Sequence, residues 1–502
     1  MDTADIAARP RTVQGYLDET PVWRDGTASN AGGLTGMQSR IWALAAAGKF
    51  FEGMIVFMTG VALPLVAAEF GGLAAWQHGM VTAASLAGIL VGASLLGGLS
   101  DHHGRKRMFV VEMVIFVLFL VLVCFSPNFW WLVACLFGIG IALGCDYPTA
   151  HLVISESISS RVRGRLVLGA FAFQAVGALF GTGVGYLILA NMDDVSAWRW
   201  MYATAIIPAV LVILGRLTIT ESPHFLMVKG RVDDAEAATM RLLQREPRYP
   251  KEVILSERAE VVPQKAQPAP GYGALFNKKN RRATILASVP WFLQDLGTYG
   301  IGIFTPVILA TAVGQKNEYA TSIAAIIQND VLAAKGAAVI DVLLIVGIVF
   351  AVLLSDRVGR MRLQTLGFVG CAVGLTIAAS SSYASGATQT VLIFAGFMIF
   401  NFMTNIGPNA QTYVVAGEVF PTEIRGKGAG FAASFAKVGA VSTAFLFPIL
   451  LVEIGTQVLL LCLVGTSLLG AAITMAFKIE TAGVDLETVG KDDVSREGVT
   501  AG

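Results

Sequence analysis

Gly97-Gly-Leu-Ser-Asp101-His-His-Gly104-Arg105-Lys106-Arg107 joins two long apolar runs, and a shortened copy, Ser355-Asp356-Arg357-Val-Gly359-Arg360, joins two others. The glycines permit tight turns, and Asp with Arg can pair across neighbouring helix ends in one conformational state and part in another. One pattern at matching places marks an internal duplication. Working outward from the two copies, apolar runs of about 20 residues, each enough to cross a bilayer as a helix, recur twelve times. The first half carries them at 41–66, 79–100, 107–126, 129–154, 165–190 and 199–219. The second carries them at 283–311, 333–355, 362–382, 389–416, 427–451 and 456–477.

Composition agrees. Of 502 residues, 55% are hydrophobic and 14% charged, against about 25% charged in soluble domains, which argues against a soluble enzyme. A net charge of +1 provides no basic field for nucleic acid. Cys124, Cys135, Cys145, Cys371 and Cys462 lie in apolar runs without metal-ligand spacing and read as small hydrophobes. The five histidines are scattered; no metal or cofactor site is expected. The 54 glycines suit helices packed closely in lipid.

The expected layout is a polar tail at 1–40, a six-helix bundle at 41–220, a charge-rich loop at 221–282, a second six-helix bundle at 283–477 and a polar tail at 478–502. The loop holds a helix-like run at 232–245 and a Pro-rich linker at 262–270. Basic clusters follow the even-numbered spans, including Arg105-Lys106-Arg107, Arg161/Arg163/Arg165, Lys278 to Arg282, Arg357/Arg360/Arg362 and Arg425/Lys427. By the positive-inside rule both termini are cytoplasmic, and a bacterial inner membrane is the expected location.

Twelve spans with this duplicated turn resemble the major facilitator superfamily, an all-α membrane fold of two six-helix bundles related by pseudo-two-fold symmetry. Ser155-Glu156 with Arg163-Gly164, Gly417-Glu418-Val-Phe-Pro-Thr-Glu-Ile-Arg425-Gly426 and Glu221-Ser-Pro-His-Phe-Leu226 resemble further turns of its sugar-porter-like branches. The resemblance implies that Asp101, Arg105, Glu156, Arg163, Asp356, Arg360, Glu418 and Arg425 are gate groups, paired in one state and released in the other.

Charge within a span is costly and functional by default. Glu52, Glu112, Asp146, Asp295 and Lys437 lie inside spans, with Lys49 and Asp341 nearer span ends. Gly144-Cys-Asp146-Tyr147-Pro148 through Glu156 is similar to the GGDYPLSATIxSE signature of phosphate:proton symporters. Trp291, Asp295 and Tyr299 follow one another at four-residue spacing, which puts them on one helix face, and the same symporters carry that set. Asn405-Ile-Gly-Pro-Asn409 and Ala433-Ser-Phe-Ala-Lys437-Val-Gly resemble two more signatures of those proteins, and Gln174 falls where they hold a substrate-binding glutamine.

The resemblance implies phosphate contacts from Tyr147, Gln174, Trp291, Asp295, Tyr299 and Asn409, with Lys437 as the cation of the pocket. It also implies a proton route through Glu52, Asp146 and Asp295. The chemistry is consistent, because dihydrogen phosphate donates and accepts hydrogen bonds and a carboxylate can take its P–OH proton. Three departures stand out: Ile55 where those symporters carry a second acid in span one, Cys145 in place of a glycine, and His151 in a stretch that is smaller there.

Proton-driven phosphate symport by a monomer in the bilayer is thus the first expectation. A proton-coupled sugar or organic-acid carrier is the alternative, and a non-transporting sensor is a third. Sugar porters carry a paired-glutamine pattern in span seven, which Gln294-Asp295 does not match. No GxxxxGK[ST] loop or nucleophile triad supports an ATP-driven or covalent enzyme.

Overall fold

The structure is a computed structural model that describes residues 12–19, 33–96, 99–244, 253–255, 271–313, 323–421 and 424–481. The Asp101 and Asp356 side chains, Gly97 and Gly98, the 262–270 linker and the C-terminal tail from 482 lie outside the described residues.

All twelve spans form. In the first half they are Gly36–Glu69, Ala75–Val91, Arg105–Cys124, Phe129–Ser157, Ser160–Leu189 and the pair Ala197–Ala203 with Ile206–Thr218. In the second they are Arg281–Val313, Ile323–Val358, Arg360–Ser380 and the pair Gly386–Ile406 with Pro408–Glu418, then one long helix, Arg425–Ala476. Gly455, at φ 75°, breaks that last helix into spans eleven and twelve. Among the described residues ten helices are long and apolar enough to cross a membrane by length and composition. Span two is shorter, because a π turn at Gly92–Leu96 interrupts it before Leu99–His103. Span ten breaks where Pro408, lacking an N–H, opens the second segment after Gly407.

Lipid-facing surfaces follow from composition. In span six Ile207, Leu211, Leu214 and Leu217 point outward, while Ala209 and Arg216 are fully buried. The 3.6-residue period separates the two sets. Glycines let backbones meet inside the bundles: a β-carbon at Gly53 of span one would stand 2.0 Å from the Gln174 carbonyl oxygen of span five.

The segments flanking the first bundle are more ordered than tails and loops. Helix Val13–Asp18, capped by Thr12, rests on the start of span five, where Ser159 Oγ and the Ser160 N–H donate to Asp18 at 2.9 and 2.7 Å. Helices Pro223–Val228 and Val232–Leu243 follow span six, and Thr35 Oγ donates to the Leu242 carbonyl at 2.6 Å. Part of the expected tail and of the expected loop therefore belongs to the first bundle, and their apolar faces share one core with its span ends.

The face that carries the duplicated turns and the basic clusters is here the basic face; the other is the far face. On the far side the bundles interlock. A β-carbon at Gly60 of span one would meet Ile303 O of span seven at 2.0 Å, and one at Gly79 of span two would meet Phe445 O of span eleven at 2.2 Å. Between this seam and the basic face lies the central cavity.

Candidate functional site

A cavity of about 450 Å³, part of it open to solvent, is lined from both halves. Lys49, Tyr147, Phe171 and Gln174 come from the first, and Trp291, Asp295, Tyr299, Asn409 and Lys437 from the second, with Ala93 and Ser94 of the π turn at its edge. Tyr147, Gln174, Trp291, Asp295, Tyr299, Asn409 and Lys437, drawn from spans four, five, seven, ten and eleven, thus line one cavity.

Glu52 is the electrostatic hub behind the cavity. Its Oε2 accepts from Lys49 Nζ at 2.6 Å, and its Oε1 from Tyr299 Oη and Lys437 Nζ, each at 3.2 Å. Gln174 Nε2 reaches Tyr299 Oη at 3.0 Å and Glu52 Oε1 at 3.4 Å, and Lys437 Nζ donates to Tyr299 Oη at 2.5 Å. Lys49, Glu52 and Gln174 belong to one bundle, Tyr299 and Lys437 to the other. The network therefore straps the halves together at mid-depth.

Asp295 is held differently. Its Oδ2 faces Lys437 Nζ at 3.8 Å and takes no hydrogen bond from the described residues, although the side chain is almost fully buried. Two cations and Asp295 line the cavity with Glu52 directly behind it, so the site is neutral when all four are charged. A proton on Asp295 Oδ2 removes one negative charge at an oxygen that takes no hydrogen bond among the described residues, whereas protonating Glu52 disturbs four contacts.

The floor toward the basic face is aromatic. Tyr413 stacks on Phe171 at 4.5 Å between ring centroids and meets Tyr147 and Trp291 edge-on at 6.1 and 6.0 Å. Lys49 Nζ stands 3.6 Å from the Tyr147 ring centre, a cation–π distance. Asn409 is fixed by donation to Asn405 Oδ1 at 2.5 Å and acceptance from Gln294 Nε2 at 3.2 Å.

Asp146 lies apart from the cavity wall. Its Oδ1 is 2.5 Å from Arg216 Nη1, and its Oδ2 fills the space where a Gly48 side chain would be. Arg216 is fully buried, donates to Phe109 O at 2.6 Å and to Leu44 O at 3.2 Å, and lies 3.4 Å from the Phe109 ring centre. Glu112 accepts from Thr149 Oγ at 2.8 Å, and its other oxygen is unpartnered among the described residues.

Sequence reasoning missed Arg216 as a partner. The signal was present: a lone arginine in the apolar run of span six obeys the same rule that exposed the acids. Lys49, read only as a charge near a span end, is a wall of the cavity. Phe171 and Tyr413 carried no sequence signal beyond being aromatic.

At the basic face the two halves repeat one clamp. Arg105 Nε and Nη2 donate to Glu156 at 3.1 and 2.9 Å, Ser222 Oγ donates to the same carboxylate, and Glu221 accepts from the Lys106 N–H at 2.9 Å. In the second half Arg360 Nε and Nη2 donate to Glu418 at 2.5 and 2.9 Å, Thr481 Oγ donates to Glu418 at 2.7 Å, and Glu480 accepts from the Arg360 N–H at 2.9 Å. Each clamp ties three segments of its own half. Glu480-Thr481 thus makes the contacts in the second half that Glu221-Ser222 makes in the first, a correspondence that no motif in the sequence marked. Arg163 bonds Gln14 Oε1 at 2.9 Å and the Ile158 carbonyl at 3.4 Å, while Glu156 goes to Arg105. Arg425 Nε donates to the Phe420 carbonyl at 3.1 Å.

Residues 36–492 match the family model described as sugar (and other) transporter. The chain belongs to that family. It is 28% identical over 459 residues to the inner membrane metabolite transport protein YgcS of Escherichia coli (strain K12), covering 91% of this chain and 95% of that one. It is also similar, at 26% over 486 residues and 84% and 83% coverage, to a Schizosaccharomyces pombe protein with the provisional name of inorganic phosphate transporter. The E. coli xylose transporter XylE, in a partially occluded inward-open conformation, shares the fold with a TM-score of 0.71 at 20% identity, covering 90% of this chain and all of that one. The chain is a multi-pass membrane transporter of the major facilitator fold, not an enzyme.

Proposed function

We propose that the chain is a proton-coupled symporter of a small monovalent oxyanion, with inorganic phosphate as the first candidate. The observation that carries this reading is the balance of charge at the cavity: Lys49, Lys437 and Asp295 on its wall and Glu52 behind it, with Asp295 Oδ2 taking no hydrogen bond among the described residues. A proton on Asp295 leaves the site with one net positive charge, which attracts one anion; the anion in turn favours the proton. Each ligand stabilises the other, which is the thermodynamic requirement for symport. A neutral sugar satisfies no such charge.

Dihydrogen phosphate suits the remaining groups. Tyr147, Tyr299, Gln174 and Asn409 offer donors and acceptors, Trp291 offers a donor, and the lysines act as point charges instead of a bidentate arginine fork, consistent with release after each cycle. Alternating access then rocks the two halves about this mid-depth site. The basic face is cytoplasmic, Asp295 carries the coupled proton, and Glu52 relays between lysines. Asp146, carried by the resemblance as a proton group, takes that role only if Arg216 releases it.

A small organic carboxylate is the second reading, favoured by the aromatic floor of Tyr147, Phe171 and Tyr413, which offers apolar contact that phosphate cannot use.

The test is equilibrium binding of radiolabelled phosphate to the purified chain, with a monocarboxylate and a pentose as competitors. Phosphate binding that weakens about tenfold or more in Lys437→Met, as loss of a charged hydrogen-bonding partner implies, supports the reading. Binding of the pentose with none of phosphate overturns it in favour of a sugar carrier.

A further inference from the structure

Asp341 of span eight is buried, lies outside the central cavity and has no role in the mechanism above. Its Oδ2 is 3.1 Å from Thr182 Oγ of span five, and its Oδ1 accepts from Asn401 Nδ2 of span ten at 3.2 Å. Span five belongs to the first bundle, spans eight and ten to the second, so the Asp341–Thr182 contact crosses the seam between them.

Its height follows from the second space between the bundles. That space, about 400 Å³, is lined by Ala175 and Ala178 of span five and by Leu344 and Ile348 of span eight, with Tyr299 and Asn409 shared with the central cavity. Thr182 is one helical turn beyond Ala178, and Asp341 one turn beyond Leu344, both toward the far face. Together they roof the space on the far side.

Hydrogen counting leaves room for a proton on Asp341. Thr182 has one hydroxyl hydrogen, yet its Oγ lies 3.1 Å from the carbonyls of Ala178 and Leu179 as well as from Asp341. If Thr182 donates to its own helix, the contact with Asp341 needs a hydrogen on the carboxyl. The groups facing Asp341 from spans five and ten are the neutral Thr182 and Asn401. Its side-chain partners Thr182 and Asn401 carry no charge, and among the described residues no cation forms an ion pair with it. On its own helix the nearest charged residue, Lys335, is six residues away, about 9 Å along the axis, and the nearest other acid, Asp330, is eleven residues away, about 16 Å. A buried carboxylate with no counter-ion is strongly disfavoured, and a carboxyl that donates to a hydroxyl is satisfied.

We propose that Asp341 is a second proton-binding site, which takes its proton from far-side water when the bundles part and carries it when the seam closes. The contact needs both bundles, so it exists only in the closed arrangement of the far side. Separation of Thr182 from Asp341 admits water and allows ionisation. By linkage, the closed seam binds the proton more tightly than the open one, so acid closes the far side and closure is lost as pH rises. The inference rests on the transporter reading of the chain and is independent of the identity of the substrate.

The experiment measures the seam itself, with no substrate. Spin labels at Leu187→Cys and Leu332→Cys, both exposed positions on spans five and eight, report the distance across the far face by pulsed electron resonance in the full chain carrying Cys462→Ser, from pH 5 to pH 9. The expected result is a distance distribution that moves from closed to open with rising pH, and an Asp341→Asn variant that stays closed throughout. Thr182→Val removes the acceptor in the other bundle and moves the transition to lower pH by about half to one unit; it serves as the second variant should Asp341→Asn not fold. A wild-type distance independent of pH, or an Asp341→Asn or Thr182→Val variant that titrates like wild type, overturns the proposal. Failure of phosphate to bind overturns the anion reading and leaves this titration unaffected.

Discussion

Arg216 and Asp295 are both buried, and they bear charge in opposite ways. Arg216 is locked: its guanidinium meets Asp146 and two backbone carbonyls, and its flat face covers the Phe109 ring. Removing one member of a buried pair costs about 3–5 kcal/mol, because the other is left without a partner. Arg216→Met is therefore expected to lower the denaturation midpoint in detergent by many degrees, and Asp146→Asn in the same chain to recover part of it; equal losses that simply add would show the pair to be uncoupled. Asp295 is held more loosely, its Oδ2 facing Lys437 Nζ at 3.8 Å and taking no hydrogen bond among the described residues. Asp295→Asn is expected to fold normally, bind phosphate and lose pH-driven accumulation, read by filter uptake into proteoliposomes. The contrast explains what was legible. Trp291, Asp295 and Tyr299 declare themselves by spacing on one face, whereas the Asp146–Arg216 pair joins spans four and six, and no local pattern connects residues so far apart.

Among the elements, the duplicated turns show their logic best. Gly104 and Gly359 open spans three and nine at φ 98° and 96°, and a β-carbon there would stand 2.5 Å from Glu221 Oε2 and 2.9 Å from Glu480 Oε2. Glycine is required twice over at each turn, for the left-handed backbone and for the carboxylate that caps the next helix. Gly104→Ala costs about 1–2 kcal/mol for the backbone alone, and displacing Glu221 loosens the clamp around Arg105. Its expected signature is slower transport with unchanged substrate affinity; a pure loss of affinity would argue against a gating role. On the far side Gly60→Val is expected to wedge spans one and seven apart, measured as labelling of far-face cysteines in the absence of substrate. The turns were readable as short motifs, and the twelve spans as apolar runs. The π turn of span two and the break of span ten were not, since each depends on how Gly92 and Gly407 pack against neighbouring helices that the sequence does not align.

For the whole molecule, two halves of matching pattern imply two bodies that move, and the polar strap through Glu52 crosses between them at the level of the cavity. The duplication, the bundle count and the basic face were all legible, because bilayer thickness and charge placement constrain them directly. Substrate identity was less legible, since the proposed reading rests on four charges whose balance emerges only when spans one, seven and eleven converge. The most direct test of the account is phosphate accumulation in proteoliposomes at zero membrane potential under an imposed inward proton gradient. The expected result is transient accumulation above the external concentration that collapses when the gradient is dissipated and is absent in Asp295→Asn. Phosphate entry that only equilibrates, indifferent to the gradient and to that substitution, would contradict it.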